Sequence, residues 1–416
     1  MHKNAPLRPL CRLAPLALAA AAALAPAVRA EPNPYYLGVT AGYTHESNLF
    51  RATQATADSF WSAGLLAGLD QPIGRQRLYA NANVRSNQFR EQEQLDNVSY
   101  GINAGLDWET INKLSGTFSV FSNRNLANFS PGVVQATTTK NLETTNQVLA
   151  RVQYGGAGLL SVDGGAIWRR LDYTDPSYVG ANFEQTTGFV GLKARPSGAL
   201  TLGVALRATR GEYPDIAIDF DRNDIDLTAV WVPTGLSTLN ARLSYGKQKN
   251  KAANGATPLS VEQRDFSGAT GFLGWDYKPT GKLSLRTTLS RDTGTETSFL
   301  RLTEEAPNLI AFGDVSRLTT ALSFTARYEV TAKIVANTGV LLQRRTLSDL
   351  FLPTPGISDE RGRDRFGRVF LGLTWMPTLH WQLGCNVAHE KRTETGGLAV
   401  PYSANTAGCS AQYVIR

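Results

Sequence analysis

Few residues in this chain could do acid–base or metal chemistry, and none stands in a pattern that would make it do so. Beyond residue 30 the histidines are His45, His380 and His389. His389 is followed by Glu390, but no second histidine lies at a metal-ligand spacing. There is no Gly-x-Ser-x-Gly elbow and no glycine-rich phosphate loop. His45-Glu46-Ser47 puts an imidazole, a carboxylate and a hydroxyl in sequence. On a strand, however, successive side chains point to opposite faces, so contiguity does not bring them together. The sequence therefore predicts no enzyme activity, no cofactor and no metal. Arginines and cysteines are left as the residues with chemistry to offer.

The elements that would position them begin after a leader. Lys3, Arg8 and Arg12 form a basic n-region, Leu13 to Ala25 is apolar, and Val28-Arg29-Ala30 ends in the small-residue pattern a signal peptidase reads. Residues 1–30 are thus expected to be a cleaved signal peptide, with 31–416 as the exported domain. Cys11 precedes the apolar stretch, which argues against a lipoprotein anchor. Four of the 42 basic residues (Lys3, Arg8, Arg12, Arg29) and none of the 35 acids lie in the leader, so the charge of the remainder is only +3. A nucleic-acid partner is not implied.

Beyond Ala30 no run of about eighteen apolar residues could form a transmembrane helix. Export with 38 Gly, 14 Tyr and 7 Trp at 19% charged residues fits either an outer-membrane barrel or a secreted β-protein. The pattern along the chain decides between them. Leu283, Leu285 and Leu289 alternate with Ser284, Arg286, Thr288 and Ser290, and Ile225, Leu227, Ala229 and Trp231 alternate with Asp224, Asp226 and Thr228. Such segments are about ten residues long and recur from Tyr35 onward, as in barrels whose side chains take turns facing lipid and lumen. The connections alternate too. Gln71-Pro72-Ile73-Gly74, Pro196-Ser197-Gly198, Pro233-Thr234-Gly235, Pro279-Thr280-Gly281 and Met376-Pro377-Thr378 are tight turns, whereas 45–58, 124–140, 248–263, 292–315 and 346–362 are long and polar. The sequence predicts an all-β, antiparallel up-and-down transmembrane barrel of eighteen strands, with sixteen as the fallback, in the outer membrane of a Gram-negative cell.

Within that frame Trp108, Trp231, Trp275, Trp375 and Trp381 fall beside short turns on the apolar parity, where an aromatic girdle would meet the headgroups. Arg77, Arg85, Arg151, Arg169, Arg207, Arg242, Arg286, Arg327 and Arg368 fall on the polar parity with Asp107, Glu143, Asp163, Asp224 and Asp226. An arginine facing mid-bilayer costs roughly 2–4 kcal/mol, so these groups are expected to line the lumen. Two readings of that lining stand: a wall whose acids and bases pair with one another, or a basic passage that selects anions. Segment 292–315 could fold inward as a constriction or outward as a loop. Cys385 and Cys409 lie twelve residues either side of Gly397, so a final hairpin would set them opposite each other as a disulfide; the alternative is two thiols facing lipid.

Three stretches carry a family resemblance: His45-Glu46-Ser47-Asn48-Leu49-Phe50-Arg51, Gly74-Arg75-Gln76-Arg77-Leu78 and Gly408-Cys409-Ser410-Ala411-Gln412. They resemble EpsL-type outer-membrane proteins, β-barrels of the barrel-porin type 2 superfamily associated with exopolysaccharide biosynthesis and exosortase systems. The resemblance spans the chain beyond the leader. It implies export of an exopolysaccharide through the lumen, periplasmic polysaccharide-export proteins as partners beside the membrane lipid, and no catalytic residues. The final residue is Arg416 where barrels usually end in an aromatic, with Tyr413 the nearest substitute. Two other expectations remain beside export: a general diffusion porin for small solutes, and a non-conducting scaffold for polysaccharide machinery.

Overall fold

A computed structural model describes residues 33–111, 113–130, 137–156, 158–216, 218–252, 265–293, 318–348, 361–396 and 399–416. The leader expected over residues 1–30 and nearly all of segment 292–315 lie outside these residues. Eighteen strands follow one another in the chain: β1 Tyr35–Glu46, β2 Asp58–Ile73, β3 Gln76–Phe89, β4 Asn97–Glu109, β5 Leu114–Leu126, β6 Leu142–Tyr154, β7 Leu160–Tyr173, β8 Phe183–Ser197, β9 Leu200–Tyr213, β10 Ile218–Thr234, β11 Ser237–Ala252, β12 Phe266–Tyr277, β13 Leu283–Thr293, β14 Leu318–Thr331, β15 Ile334–Ser348, β16 Arg361–Trp375, β17 Trp381–Thr395 and β18 Tyr402–Ile415. Each pairs antiparallel with its chain neighbours, and β1 closes the sheet on β18 with Leu37 opposite Ile415 and Glu46 opposite Thr406. Closure leaves no free edge, so every strand satisfies its backbone groups without water, as a hydrocarbon environment demands.

The parity read from sequence appears as alternating exposure. On β9, Leu202, Val204 and Leu206 face outward and are about half exposed, while Arg207 and Thr209 face inward and are buried. Exposed aliphatic side chains band the whole outer surface; in water they would be an aggregation surface, in a bilayer they are solvated by acyl tails. The outer membrane is the compartment in which such a barrel is soluble. Short connections gather at one rim. The β2–β3 connection is a two-residue turn at Gly74-Arg75, with Gly74 at φ +63°, where a side chain would be strained. Trp231, Trp275, Trp375 and Trp381 are each exposed on the outer face beside that rim, and Trp108 is half-buried there.

At the opposite rim several strands outrun their sequence pattern. β10 begins at Ile218 where the alternation suggests 222, and β11 and β17 continue to Ala252 and Thr395 where it suggests 247 and 389. The reason is physical. Above the hydrocarbon both faces meet polar surroundings, so Asp219, Asp221, Lys249 and Lys251 occupy the outward parity and the apolar half of the signal disappears.

Candidate functional site

The lumen is built by one side-chain parity of the strands. A cavity of about 740 Å³ within it is lined by amides (Asn87, Asn97, Asn123, Asn125), hydroxyls (Ser99, Thr145, Ser323, Thr325), rings (Phe121, Phe370, Tyr402) and charges (Glu46, Arg85, Arg368, Glu390). Each is on a strand that must hold an inward polar or aromatic group because its neighbours in sequence face lipid. A second cavity of about 320 Å³ lies nearer the short-turn rim, around Asp276, Arg286, Arg327 and Asn337.

The cavity is roofed by loops that turn inward. Chain leaving β5 bends into the lumen at Ala127, Phe129 and Ser130, all buried. Phe129 packs edge-on against Phe50 of the β1–β2 connection at 5.0 Å and joins Leu49, Phe89 and Leu95 in a small apolar cluster. The Ser130 carbonyl accepts a 2.6 Å hydrogen bond from Nη1 of Arg392, on β17, six strand positions away round the wall. On the other side Thr137 and Thr139 donate to Asp175, which caps the short 3-10 turn Pro176–Ala181 by accepting from the Ser177 amide at 2.9 Å. Lys140 donates to the Asp96 carbonyl. Burial alone would raise the Asp175 pKa, but the hydrogen bonds from Thr139, Ser177 and Thr137 outweigh it and hold it below its ordinary 3.8.

The nine arginines expected in the lumen are distributed rather than gathered into one ring. Arg85 and Arg368 line the large cavity, and neither has an ion pair among the described residues; Nε of Arg368 is buried without a hydrogen-bond partner. Arg286 and Arg327 line the smaller cavity, with Arg286 2.5 Å from Asp276 and Arg327 3.7 Å from Glu329. Arg77 pairs with Asp70 at 2.7 Å in an exposed position near the turn rim. Arg151 meets Asp163 at 2.8 Å, and Lys193 shares that carboxylate at 3.0 Å. Arg207 grips Asp226 through two nitrogens, at 3.0 and 3.1 Å. Arg169 and Arg242 are buried beneath aromatic rings, 5.1 Å from Phe183 and 6.0 Å from Phe272. Of the acids sharing the parity, Asp107 accepts from Thr117 at 2.8 Å and Glu143 from Tyr173 at 3.1 Å.

Four further arginines matter that the sequence pattern did not single out. Arg222 chelates Asp224 and reaches Thr293 of β13 at 2.7 Å, tying non-adjacent wall strands together. Arg345 pairs with Asp364, and Arg392 shares that carboxylate at 3.7 Å while its guanidinium lies 4.9 Å over Tyr402. Arg51 bridges Glu46 at 3.0 Å and Glu390 at 2.8 Å. Arg222 was legible, since it stands two residues before Asp224 on the same parity; Arg392 lies beyond the apparent end of its strand. His45 and Glu46 diverge, His45 meeting Ser59 at 2.9 Å and Glu46 turning to Arg51. Among the described residues no cluster of three or more His, Cys, Asp or Glu could hold a metal. Cys385 and Cys409, register partners on β17 and β18, form a disulfide on the outward, lipid-facing parity.

The closed sheet, the lipid-facing belt and the polar interior define an outer-membrane β-barrel whose lumen is lined by Asn, Ser, Thr and Arg. No family model and no curated protein matches the chain. In fold it is similar to solved proteins of Pseudomonas aeruginosa, among them the outer membrane protein OpdK. OccK2 (OpdF) is 12% identical, with 92% of this chain and 98% of that one covered and a TM-score of 0.49. OpdO is 14% identical, with 92% and 97% covered and a TM-score of 0.47. OpdK is 12% identical, with 92% and 98% covered and a TM-score of 0.48. At those scores the overlays add nothing to what strand order and register establish.

Proposed function

We propose that this barrel is a passive diffusion channel for small hydrophilic solutes. One observation carries the reading: the inward segment around Phe129 and Ser130, fixed to the far wall through Arg392, roofs a cavity of about 740 Å³. A space of that size fits a small molecule. Solutes moving through it exchange water for short-lived hydrogen bonds to Asn87, Asn97, Asn123 and Ser99, while Arg85 and Arg368 offer local positive charge in a lining where Arg51, Arg85 and Arg368 are matched in number by Glu46, Glu143 and Glu390. The energy comes from the solute gradient alone.

Export of an exopolysaccharide is the second reading. It rests on the EpsL-type resemblance and on the combination of amides with Phe121, Phe370 and Tyr402 in one wall, which offers a sugar both hydrogen bonds and apolar faces. Planar-bilayer conductance combined with liposome swelling tests the first reading. Discrete channels and swelling rates that fall steeply with solute size are expected. A purified, folded barrel that forms no channel overturns both readings and leaves a scaffold. Loss of secreted polymer on gene deletion, with small-solute uptake intact, favours export over diffusion.

A further inference from the structure

We infer that the outer face of β13–β17, at the rim opposite the short turns, is a docking surface for the phosphate groups of a lipid A-type glycolipid of the outer leaflet. The surface is a row of register partners: Arg291 on β13 faces Thr320 on β14, Thr320 faces Arg344 on β15, Arg344 faces Arg365 on β16, and Arg365 faces Thr393 on β17. Arg363 and Lys391 stand two residues from Arg365 and Thr393 on the same face. All five cations are exposed and alternate with buried inward residues such as Arg345, Asp364 and Arg392.

Two features separate this row from an ordinary solvated rim. Arg344 and Arg365 sit directly opposite each other, an arrangement that is destabilising unless an anion lies between them. None of the five cations has an ion pair among the described residues, and the outward parity of these strands there carries no carboxylate. The contrast lies on the other half of the same rim. There Arg170 pairs with Asp172, Arg210 and Lys251 share Asp221, and Glu212 and Asp219 stand exposed beside Lys249 on the same face, so cations are matched by acids.

The height of the row names the partner. Exposed aliphatics end just below it: Leu289, Leu322 and Leu342 lie two residues nearer the turns than Arg291, Thr320 and Arg344, and Val369 and Val387 lie four below Arg365 and Lys391. At about 3.4 Å per residue the guanidinium groups stand within roughly 7–14 Å of the last acyl-solvated side chains, at headgroup level. From Arg291 to Arg365 is three strand spacings, about 14 Å, enough for one guanidinium–phosphate pair at each end of a diphosphorylated disaccharide.

The test uses the full-length barrel, purified in detergent and exchanged free of lipid, titrated with diphosphoryl lipid A and followed by native mass spectrometry. Heat-modified gel mobility checks that each variant is folded. The Arg344→Gln/Arg365→Gln variant is expected to bind at least about tenfold more weakly, while Arg210→Gln/Lys249→Gln on the neutral half binds like the parent. Without lipid A the first variant should unfold at a temperature equal to or above the parent's, because like-charge repulsion is relieved; with lipid A the order should reverse. Equal retention by both double variants overturns the proposal. So does equally tight binding of a soluble polyuronate, which would make the row a polymer site instead.

Discussion

Replacing Arg392 by Gln tests whether the inward segment controls passage. In the folded barrel Arg392 is about 1% exposed and donates through Nη1 to the Ser130 carbonyl at 2.6 Å. A buried hydrogen bond from a charged donor contributes about 1.5–3 kcal/mol net. At 1.4 kcal/mol per tenfold, losing it shifts the ratio of docked to undocked segment by about 10- to 100-fold toward undocked. The substitution leaves no orphaned carboxylate, because Asp364 keeps Arg345. Wall strands are unaffected, since β17 holds its register to β16 and β18 through backbone bonds. Single-channel recording should therefore show a larger conductance level visited often by the variant and rarely by the parent. Phe129→Ala acts on the same equilibrium by removing a ring that packs on Phe50, Leu49 and Leu95, and should give the same larger level. If both variants are folded and conduct with unchanged amplitude and noise, the segment does not limit the passage and the reasoning from Arg392 fails.

Arg85→Ser and Arg368→Ser should each move the reversal potential under a salt gradient toward cation preference; an unchanged potential would show that the paired charges elsewhere set selectivity. Leu227→Arg, on the outward face, should destabilise the barrel in bilayers by roughly 2–4 kcal/mol, whereas Thr228→Arg, one residue on and facing the lumen, should cost far less by urea titration. Replacing Cys385 and Cys409 by Ser should lower unfolding stability by about 3 kcal/mol in the chain-entropy account, for a bridge spanning 24 residues. The docked Asp175 carboxyl titrates below its ordinary 3.8, so its contribution is complete above that value and is lost as pH falls through the lower, docked pKa. Conductance should thus stay level from neutral pH to about pH 4 and rise only in stronger acid; a gating midpoint near pH 6 would point to another group.

Fold class was legible because a single physical rule writes itself on every strand. Where one face meets acyl tails and the other water, Leu227 and Thr228 cannot exchange roles, and the period-2 pattern counts strands directly. The same rule explains what was hidden. Arg392 and the upper ends of β10 and β11 stand above the hydrocarbon, where no solvent difference separates the two faces. The inward course of Ala127–Ser130 was hidden for a different reason. It depends on Phe50, Leu95 and Arg392, contacts distant in sequence whose residue types would serve equally well in an outward loop. The nine arginines were placed on the lumen parity from type and spacing, yet whether each meets an acid depends on register. Arg207 finds Asp224 and Asp226 because β9 and β10 pair with Arg207 opposite Asp224. Arg368 faces Leu341 and Glu390 across its two neighbours and forms no ion pair among the described residues.

That difference between paired and unpaired arginines separates structural from functional charge. An arginine whose carboxylate lies on the next strand braces the wall, and removing it leaves a buried acid without a partner. Arg207 and Arg345 are of this kind, Arg222 holds Asp224 on its own strand, and substitution of any of the three should be read first in stability. Arg85 and Arg368 stand at the 740 Å³ cavity with no such partner among the described residues, so substituting them orphans nothing there and should leave the unfolding midpoint nearly unchanged while altering what passes. Measuring both quantities on Arg207→Gln and Arg368→Gln separates the two roles. Were Arg368→Gln to destabilise as much as Arg207→Gln, its charge would belong to the wall, and Arg85 alone would be left to favour anions.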